Sequence, residues 1–206
     1  DMEGNDMANW QARNQRNKAV VWEYWQRMNH AQAREVPSIV KKAFHKDVDW
    51  NGPQPINEIR GTTALISDFW EPLRQSFPDI KREAHILMGG FDGELDWVSG
   101  TGYLNGTFVH DWLGIPATGN KTHIHFGQFF VMRDERIVET YCILDILAVF
   151  KQAGFQVLPN ALGREGGKVQ KPIGDDGVLL IEQDELEGRR SMQLVAAMWD
   201  GLYRYN

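Results

Sequence analysis

In the segment VETYCILDILAVF, the carboxylic acid Asp145 stands alone among the apolar residues Ile143, Leu144, Ile146 and Leu147. An ionised carboxylate is costly to bury unless it is paired or becomes protonated. Burial also raises the pKa of a carboxyl group, and a raised pKa suits a residue that exchanges protons near neutral pH. We therefore predict that Asp145 is catalytic or contacts a ligand. The alternative is an Asp that caps a helical turn through hydrogen bonds to the backbone.

Two histidines are the next candidates for proton chemistry. His125 lies in THIHFGQFF, where strand alternation places it on one face with His123 and Phe129, and His110 ends the segment NGTFVHDW. An imidazole facing Asp145 would orient the carboxyl group, share its proton or bind a substrate oxygen. The alternative for each histidine is a structural hydrogen bond to a nearby carbonyl group.

His123 and His125 also form a candidate pair of metal ligands, because alternate residues of a strand share a face. A mononuclear site needs a third ligand, and only Asp145 or His110 is a plausible source.

Aromatic side chains supply candidate walls for a ligand cavity. The segment FHKDVDWNGP places Val48 and Trp50 on one strand face, and its His45 and Asp47 are predicted to be capping and surface groups. A role in the apolar core is the alternative for every such aromatic residue. The residues predicted to contact substrate are Trp50, Trp70, Trp112, Phe129 and Tyr141.

The elements that must position these residues begin with helices. Apolar residues recur at helical spacing from residue 8 to about residue 34, and a second helix is predicted over residues 36–44. A third helix follows Gly61, and Pro72 within it should kink or split it.

Long, partly alternating strands follow these helices. Turns are predicted at Gly89-Gly90, at Asp92-Gly93 and at Asp134-Glu135. Helices followed by such strands predict an α+β fold, in which a curved antiparallel sheet wraps the N-terminal helices as a cone with an interior.

The C-terminal part of the chain differs in composition and periodicity. Residues 1–155 are predicted to form the cone domain, residues 156–185 an extended linker or arm rich in Gly and Pro, and residues 186–206 a helix. The segment WDGLYRYN at the end can be aligned with WEYWQRMN near the start, which predicts either the first helix of a second repeat or an accessory helix.

Composition limits the classes of function. The 206-residue chain is 42% hydrophobic and carries a formal charge of -6, which argues against a nucleic acid partner. Cys142 is the only cysteine, so neither an internal disulfide nor a thiolate metal cluster is possible. No apolar run approaches the roughly 20 residues of a spanning helix. We expect a cytoplasmic protein without membrane partners.

Four segments in order resemble the SnoaL-like polyketide cyclases, a family of the superfamily that includes nuclear transport factor 2 and ketosteroid isomerase. They are FHKDVDWNGP, FWEPLRQSFPD after Gly61, GIPATGN and ERIVETYCILDILAVFKQAG, and the match covers roughly residues 10 to 155. The resemblance implies the cone-shaped fold, a homodimer, no metal and no cofactor. It also implies that the acid/base Asp of the family is Asp145, whereas Tyr141 stands where the family usually has Trp.

The resemblance implies a cyclase or isomerase that acts on a small apolar carbonyl compound, polyketide-like or ester-like, by general acid/base catalysis at Asp145. Two alternatives use the same fold. One is a module that binds a small apolar ligand without turnover, and the other is a hydrolase or dehydratase, which would need a second carboxylate or an Arg beside Asp145. A closed apolar pocket around Asp145 would favour the enzyme, and a solvated or helix-capping Asp145 would favour binding.

Overall fold

The structure is a computed structural model that describes residues 2–159, 162 and 168–204. Within these residues the α-helices are α1 (Met2–His30), α2 (Val36–Ala43), α3 (Gly61–Ala64), α4 (Glu71–Ser76), α5 (Ile146–Gln152) and α6 (Glu185–Tyr203). The strands are β1 (Phe44–Asn51), β2 (Glu58–Arg60), β3 (Lys81–Phe91), β4 (Asp96–Thr107), β5 (Lys121–Arg133) and β6 (Arg136–Leu144).

The strands form one curved sheet in the order β2-β1-β6-β5-β4-β3. The predicted α+β fold is confirmed, but the sheet is mixed rather than purely antiparallel. Strand β1 pairs in parallel with β6, while the other neighbouring strands are antiparallel. The parallel pair arises because β1 comes from the helical half of the chain and joins the sheet beside its last strand.

Helix α1 packs its apolar stripe on the inner face of the sheet. Val21, Trp25 and Met28 recur at spacings of four and three and are all buried. The Trp25 ring meets the edge of Phe126 at 5.5 Å and that of Phe130 at 6.2 Å, both on β5. The inner sheet face and α1 therefore share one aromatic core.

The third predicted helix is split, as the position of Pro72 predicts. A π-helical segment, Leu65–Trp70, separates α3 from α4, and Pro72 lies in the first turn of α4. Proline offers no backbone N–H to the preceding turn, so the hydrogen-bond ladder is interrupted there. The wider turn places Phe69 and Trp70 together in the core.

The predicted turn at Gly89-Gly90 is wrong, since both residues lie within β3. The turn comes later, where the Asp92 carboxylate accepts hydrogen bonds from the N–H groups of Glu94 and Leu95. Gly89 is required for packing against α1, because a Cβ atom there would collide with the side chain of Asn14. The absence of a side chain allows α1 to approach the strand closely.

An extended segment after α5 covers the free edge of β3. Leu87 donates its N–H to the carbonyl group of Gly177, and Leu179 donates its N–H to the carbonyl group of Leu87. The Gln183 side chain accepts hydrogen bonds from Gly89 and from Asn14. The predicted arm thus pairs with the cone over residues 177–183, whereas residues 160–161 and 163–167 of that prediction lie outside the described residues.

Helix α6 is exposed along its length. Leu194, Met198 and Leu202 are 73%, 56% and 60% exposed, so the described residues of the chain do not bury them. Two positions of the predicted internal repeat, Tyr205 and Asn206, lie outside the described residues. None of the described helices combines the length and apolar character needed to cross a membrane.

Candidate active site

Asp145 lies at the junction of β6 and α5, where it is the N-cap residue. Its carboxylate accepts a hydrogen bond from the N–H of Ala148 at 2.9 Å, and its own N–H donates to the carbonyl group of His125 at 2.9 Å. Leu144 and Ile146 on either side point into the core, so the Asp145 side chain is exposed on the outer side of the sheet. The apolar enclosure that the sequence suggests is absent, although the proton-transfer role stays a prediction.

His125 lies on β5, beside Asp145, and faces outward. Its ring stacks on Tyr103 of β4 with centroids 4.8 Å apart, and its Nε2 lies 3.2 Å from the hydroxyl oxygen of Thr101. The Thr101 hydroxyl donates its hydrogen to the carbonyl group of Phe126. Because that hydrogen is committed to Phe126, the Thr101 oxygen can accept a hydrogen bond from the His125 Nε2.

His123 flanks the same tyrosine at a ring distance of 5.7 Å. Burial lowers the pKa of His123, as does the positive charge of Lys168, while the carboxylate of Asp145 acts in the opposite direction. We call Tyr103, His123, His125 and Asp145 the outer-face cluster. It combines a carboxylate, two imidazoles and a phenol on one face of the sheet.

Phe129 and Tyr141 lie on this outer face, farther along β5 and β6. They are paired across the two strands, and both are exposed. The Tyr141 ring lies 6.4 Å from that of Trp97, and its hydroxyl donates to Glu139 at 2.7 Å. The structure thus brings four predicted site residues, Asp145, His125, Phe129 and Tyr141, to one side of the sheet.

The other predicted site residues lie elsewhere. Trp50 and Trp70 are buried inside the cone, where each contacts the ring of Phe69. Trp112 is buried in the loop between β4 and β5, with its ring 5.8 Å from that of Phe77. His110 is exposed in the same loop. The arrangement separates these residues from Asp145, and their contacts with substrate stay predictions.

A polar group that was not predicted from the sequence lies inside the cone. Arg82, which is 9% exposed, donates to Gln128 at 2.6 Å, and the Gln128 amide lies 3.5 Å from the Cys142 sulfur. Tyr24 is buried near Arg82, and burial raises the pKa of its hydroxyl group. We call Tyr24, Trp25, Arg82, Gln128 and Cys142 the interior cluster.

One sequence signal could have revealed the interior cluster. Gln128 occupies an inward position of β5 between Phe126 and Phe130, in a strand where every other inward position is apolar or Thr. A buried amide needs a polar partner, so an inward glutamine predicts another polar side chain nearby. The partner itself, Arg82, comes from β3 and could not be identified without the register of the sheet.

The histidine pair does not assemble a metal centre with its neighbours. Among the described residues, no group of three or more His, Cys, Asp or Glu side chains is arranged to hold a metal ion.

Comparison with known proteins assigns the chain to a family. The family model of the SnoaL-like polyketide cyclases matches residues 23–153, which is more than half of the chain. The chain therefore belongs to the SnoaL-like polyketide cyclase family. No curated protein has a significantly similar sequence.

Solved structures share the fold at low sequence identity. IdmH from Streptomyces antibioticus, a proposed polyketide cyclase, is 18% identical with a TM-score of 0.56, over 68% of this chain and 99% of that one. AclR from Streptomyces galilaeus, a proposed hydroxylase, is 20% identical with a TM-score of 0.56, over 70% of this chain and 87% of that one. TsrD from Streptomyces laurentii is 19% identical with a TM-score of 0.54, over 66% of this chain and 96% of that one. At these identities the likeness concerns the fold alone.

Proposed function

We propose that the protein is a cofactor-independent cyclase or isomerase that moves a proton on a small apolar carbonyl compound. Membership of the SnoaL-like family supports this kind of reaction. The observation that carries the proposal is the outer-face cluster, in which Asp145 and His125 are joined by a backbone hydrogen bond beside His123 and Tyr103. Phe129 and Tyr141 extend the same face with apolar surface for a substrate ring.

The groups of the cluster have complementary tasks in this proposal. The Asp145 carboxylate removes a proton from the carbon next to a carbonyl group, and the electron pair moves onto the carbonyl oxygen as an enolate. Tyr103 is buried on this face and accepts a hydrogen bond from the N–H of Val169 at 2.7 Å, and in this proposal its O–H donates to that enolate oxygen. The enolate carbon then attacks a second carbonyl group to close a ring, or regains the proton at another position.

His123 would serve as a proton relay between Asp145 and solvent. Because its pKa is lowered by burial and by Lys168, its ring is neutral at neutral pH and can accept a proton.

Exchange of α protons for deuterium tests the proposal without knowledge of the natural substrate. A panel of cyclic ketones and 1,3-dicarbonyl esters is incubated with the protein in heavy water, and the loss of the α-proton signal is followed by NMR. We expect Asp145→Asn to lower the protein-catalysed rate at least about 100-fold, the scale typical of a lost acid/base group. An unchanged rate in that variant would exclude Asp145 as the base.

Asp184→Asn is the matched control. Asp184 caps α6 by accepting a hydrogen bond from the N–H of Glu187, as Asp145 caps α5. Asn and Asp are similarly good N-caps, so both variants should keep their melting temperature within a few degrees. The exchange rate of Asp184→Asn should equal that of the unaltered protein.

A ligand-binding role without turnover is the second candidate. It is favoured by one observation, namely that the Asp145 carboxylate is exposed and engaged in capping α5. Compounds of the panel that raise the melting temperature without any catalysed exchange would support binding alone. The hydrolase alternative gains no support, because Arg82 lies on the inner face of the sheet and Asp145 on the outer side.

A further inference from the structure

A cavity of about 460 Å³ opens on the surface where α2, β1, α3 and β6 meet, outside the cone interior. We call it the basic pocket, and its lining residues are Lys41, Phe44, His45, Lys46, Thr62 and Arg136. Three of these side chains are cations at neutral pH, and none of the six is a carboxylate. The chain as a whole carries a formal charge of -6, so the basic pocket concentrates positive charge on an acidic protein.

A bulge in β1 shapes the basic pocket. The register with β6 shifts between Phe44 and Asp49, so that four residues of β1 stand opposite one residue of β6. The first three of those four residues are exposed in succession. A bulge bends its strand and changes the direction of the side chains. It therefore brings both His45 and Lys46 to the surface, whereas regular alternation would turn one of them inward.

Two contacts hold the walls of the basic pocket together. Arg136 donates from Nη1 to the carbonyl group of Lys41 at 2.7 Å, which joins the start of β6 to the last turn of α2. Gly61 has a φ of +79°, and a Cβ atom there would lie 3.2 Å from the carbonyl oxygen of Lys46. The glycine thus allows α3 to begin close to the bulge, which brings Thr62 to the pocket.

Thr62 supplies a polar group that lacks a partner. The residue is only 5% exposed and lines the basic pocket. Within the described part of the chain, its hydroxyl forms no hydrogen bond. A buried hydroxyl normally has a partner, and it can donate its hydrogen to an anionic oxygen. An anion bound in the pocket would supply the missing acceptor.

The cations of the basic pocket are weakly paired within the chain. Lys46 lies 3.7 Å from the Asp47 carboxylate, and both side chains are largely exposed. Exposed ion pairs of this kind contribute little free energy. Neither Lys41 nor Arg136 forms an ion pair with a carboxylate among the described residues. Their charges are therefore available to a ligand.

We propose that the basic pocket binds the phosphate group of a small phosphorylated molecule. A phosphate monoester carries roughly 1.5 to 2 negative charges at neutral pH and three acceptor oxygens, so it matches several separate cations better than a carboxylate does. Lysine binds phosphate as a point charge, and the planar fork of arginine binds two of its oxygens. The cavity volume falls within the range of roughly 300–1,000 Å³ of small-molecule sites, which leaves space for the rest of the ligand.

The basic pocket is separate from the outer-face cluster. Arg136 begins β6 and Asp145 follows its end, and the nine residues of this strand span roughly 30 Å. Binding at the basic pocket therefore does not depend on the proposed function.

Phenyl phosphate and benzoate test the proposal, because each joins an anionic group to a phenyl ring and the charges differ. Each is titrated into the ¹⁵N-labelled full chain in about 150 mM salt, which screens long-range attraction between charges. The amide NMR signals of Lys46 and Thr62 are followed. We expect phenyl phosphate to shift both signals saturably and benzoate to bind at least about tenfold more weakly. Equal affinity for the two compounds would overturn the proposal.

Lys41→Gln and Lys42→Gln are matched variants, because they remove the same charge from adjacent exposed residues of α2. Lys41 lines the basic pocket, whereas Lys42 lies outside it and pairs with Glu23 at 2.6 Å. Lys41→Gln should weaken phenyl phosphate binding at least about fivefold, the scale of one lost charge-assisted contact, and Lys42→Gln less than about twofold. Equal losses in both variants would show attraction by net charge instead of a site.

Inorganic phosphate and a phosphoserine peptide define the class of ligand. Inorganic phosphate should bind more weakly than phenyl phosphate, and equal affinity would reduce the pocket to a general anion site. A peptide that binds at least tenfold more tightly than free phosphoserine would overturn the proposal in favour of a protein partner. Amide signals unmoved at tens of millimolar phenyl phosphate would also overturn it. None of these measurements involves Asp145, so failure here is distinct from failure of the α-proton exchange experiment.

Discussion

Asp79 fastens the corner after α4 to the end of β4 through Thr107. Its carboxylate accepts hydrogen bonds from the Thr107 N–H at 2.6 Å and from the Thr107 hydroxyl at 2.8 Å, and it also pairs with Lys121 on β5. The corner is the Phe-Pro-Asp segment of the family-like sequence FWEPLRQSFPD. The motif therefore has a structural explanation, which is the attachment of the helical layer to two strands.

Replacement of Asp79 should destabilise the fold in a pH-dependent manner. The hydrogen bond from Lys121, followed by that from the Thr107 N–H, lowers the pKa of Asp79 in the folded state. The stabilisation is therefore complete above the unfolded pKa of about 3.9 and is lost as the pH falls. In urea unfolding at pH 7, Asp79→Asn should lose about 1 kcal/mol, a modest value because the ion pair is half exposed.

The difference between Asp79→Asn and the unaltered protein should shrink as the pH falls below about 4. Asp47→Asn is a suitable control, because Asp47 is exposed on β1 and should show little loss at either pH. A difference in stability that is equal at pH 7 and pH 3 would show that the charge of Asp79 is not the cause.

Cys142 should resist thiol reagents in the folded protein. Burial raises the pKa of its thiol to about 12, so thiolate is scarce even at pH 8, and the sulfur is enclosed by the cone. Labelling with a disulfide reagent at pH 8 should be at least 100-fold slower in buffer than in 6 M guanidinium chloride. Labelling at similar rates in both solutions would show that the interior is open to solvent.

Periodicity predicted the helices and most strands, because the burial of α1 and β5 follows simple spacing of apolar residues. It failed at Gly89-Gly90, where Gly89 allows the close approach of α1 and neither glycine forms a turn. Whether Gly89 forms a turn or a close helix contact depends on Asn14, which is 75 residues earlier in the chain. A contact between residues so far apart cannot be predicted from the local sequence.

The candidate site shows a similar limit. Strand alternation correctly placed His123, His125 and Phe129 on one face of β5. The helix-capping position of Asp145 was predicted only as the alternative to burial, because apolar neighbours in sequence do not show that a strand gives way to a helix at this residue. The interior cluster was missed because Arg82, Gln128 and Cys142 come from three strands whose register is set by the whole sheet.

The outer sheet face should mediate self-association. Phe129, Tyr141 and Ile143 are 44%, 43% and 60% exposed on adjacent strands, which is a large apolar patch for a free surface. We expect a homodimer that packs through this face around Ile143. In sedimentation at micromolar concentration, Ile143→Lys should be monomeric, whereas Val109→Lys in the exposed loop should resemble the unaltered protein. A monomeric unaltered protein would contradict the prediction.

Removal of residues 186–206 should affect assembly more than the fold of the cone. The described side chains of α6 are exposed, and the arm that pairs with β3 ends its contacts at Gln183. An isolated helix of this length is marginal in water, so α6 should gain its stability from a second chain. The shortened protein should keep its melting temperature at low concentration and lose oligomer mass in sedimentation. Unchanged oligomer size would show that α6 makes no contact between chains.

The parallel pairing of β1 with β6 has a consequence for synthesis on the ribosome. The paired residues Asn51 and Tyr141 are about 90 positions apart, so β1 leaves the ribosome long before its central partner exists. At ordinary elongation rates the delay is roughly 5–20 seconds, during which only the short hairpin with β2 can protect the strand. A nascent chain that stalls within β5 would present β1 as a bare edge, and chaperone binding should be most frequent in that interval.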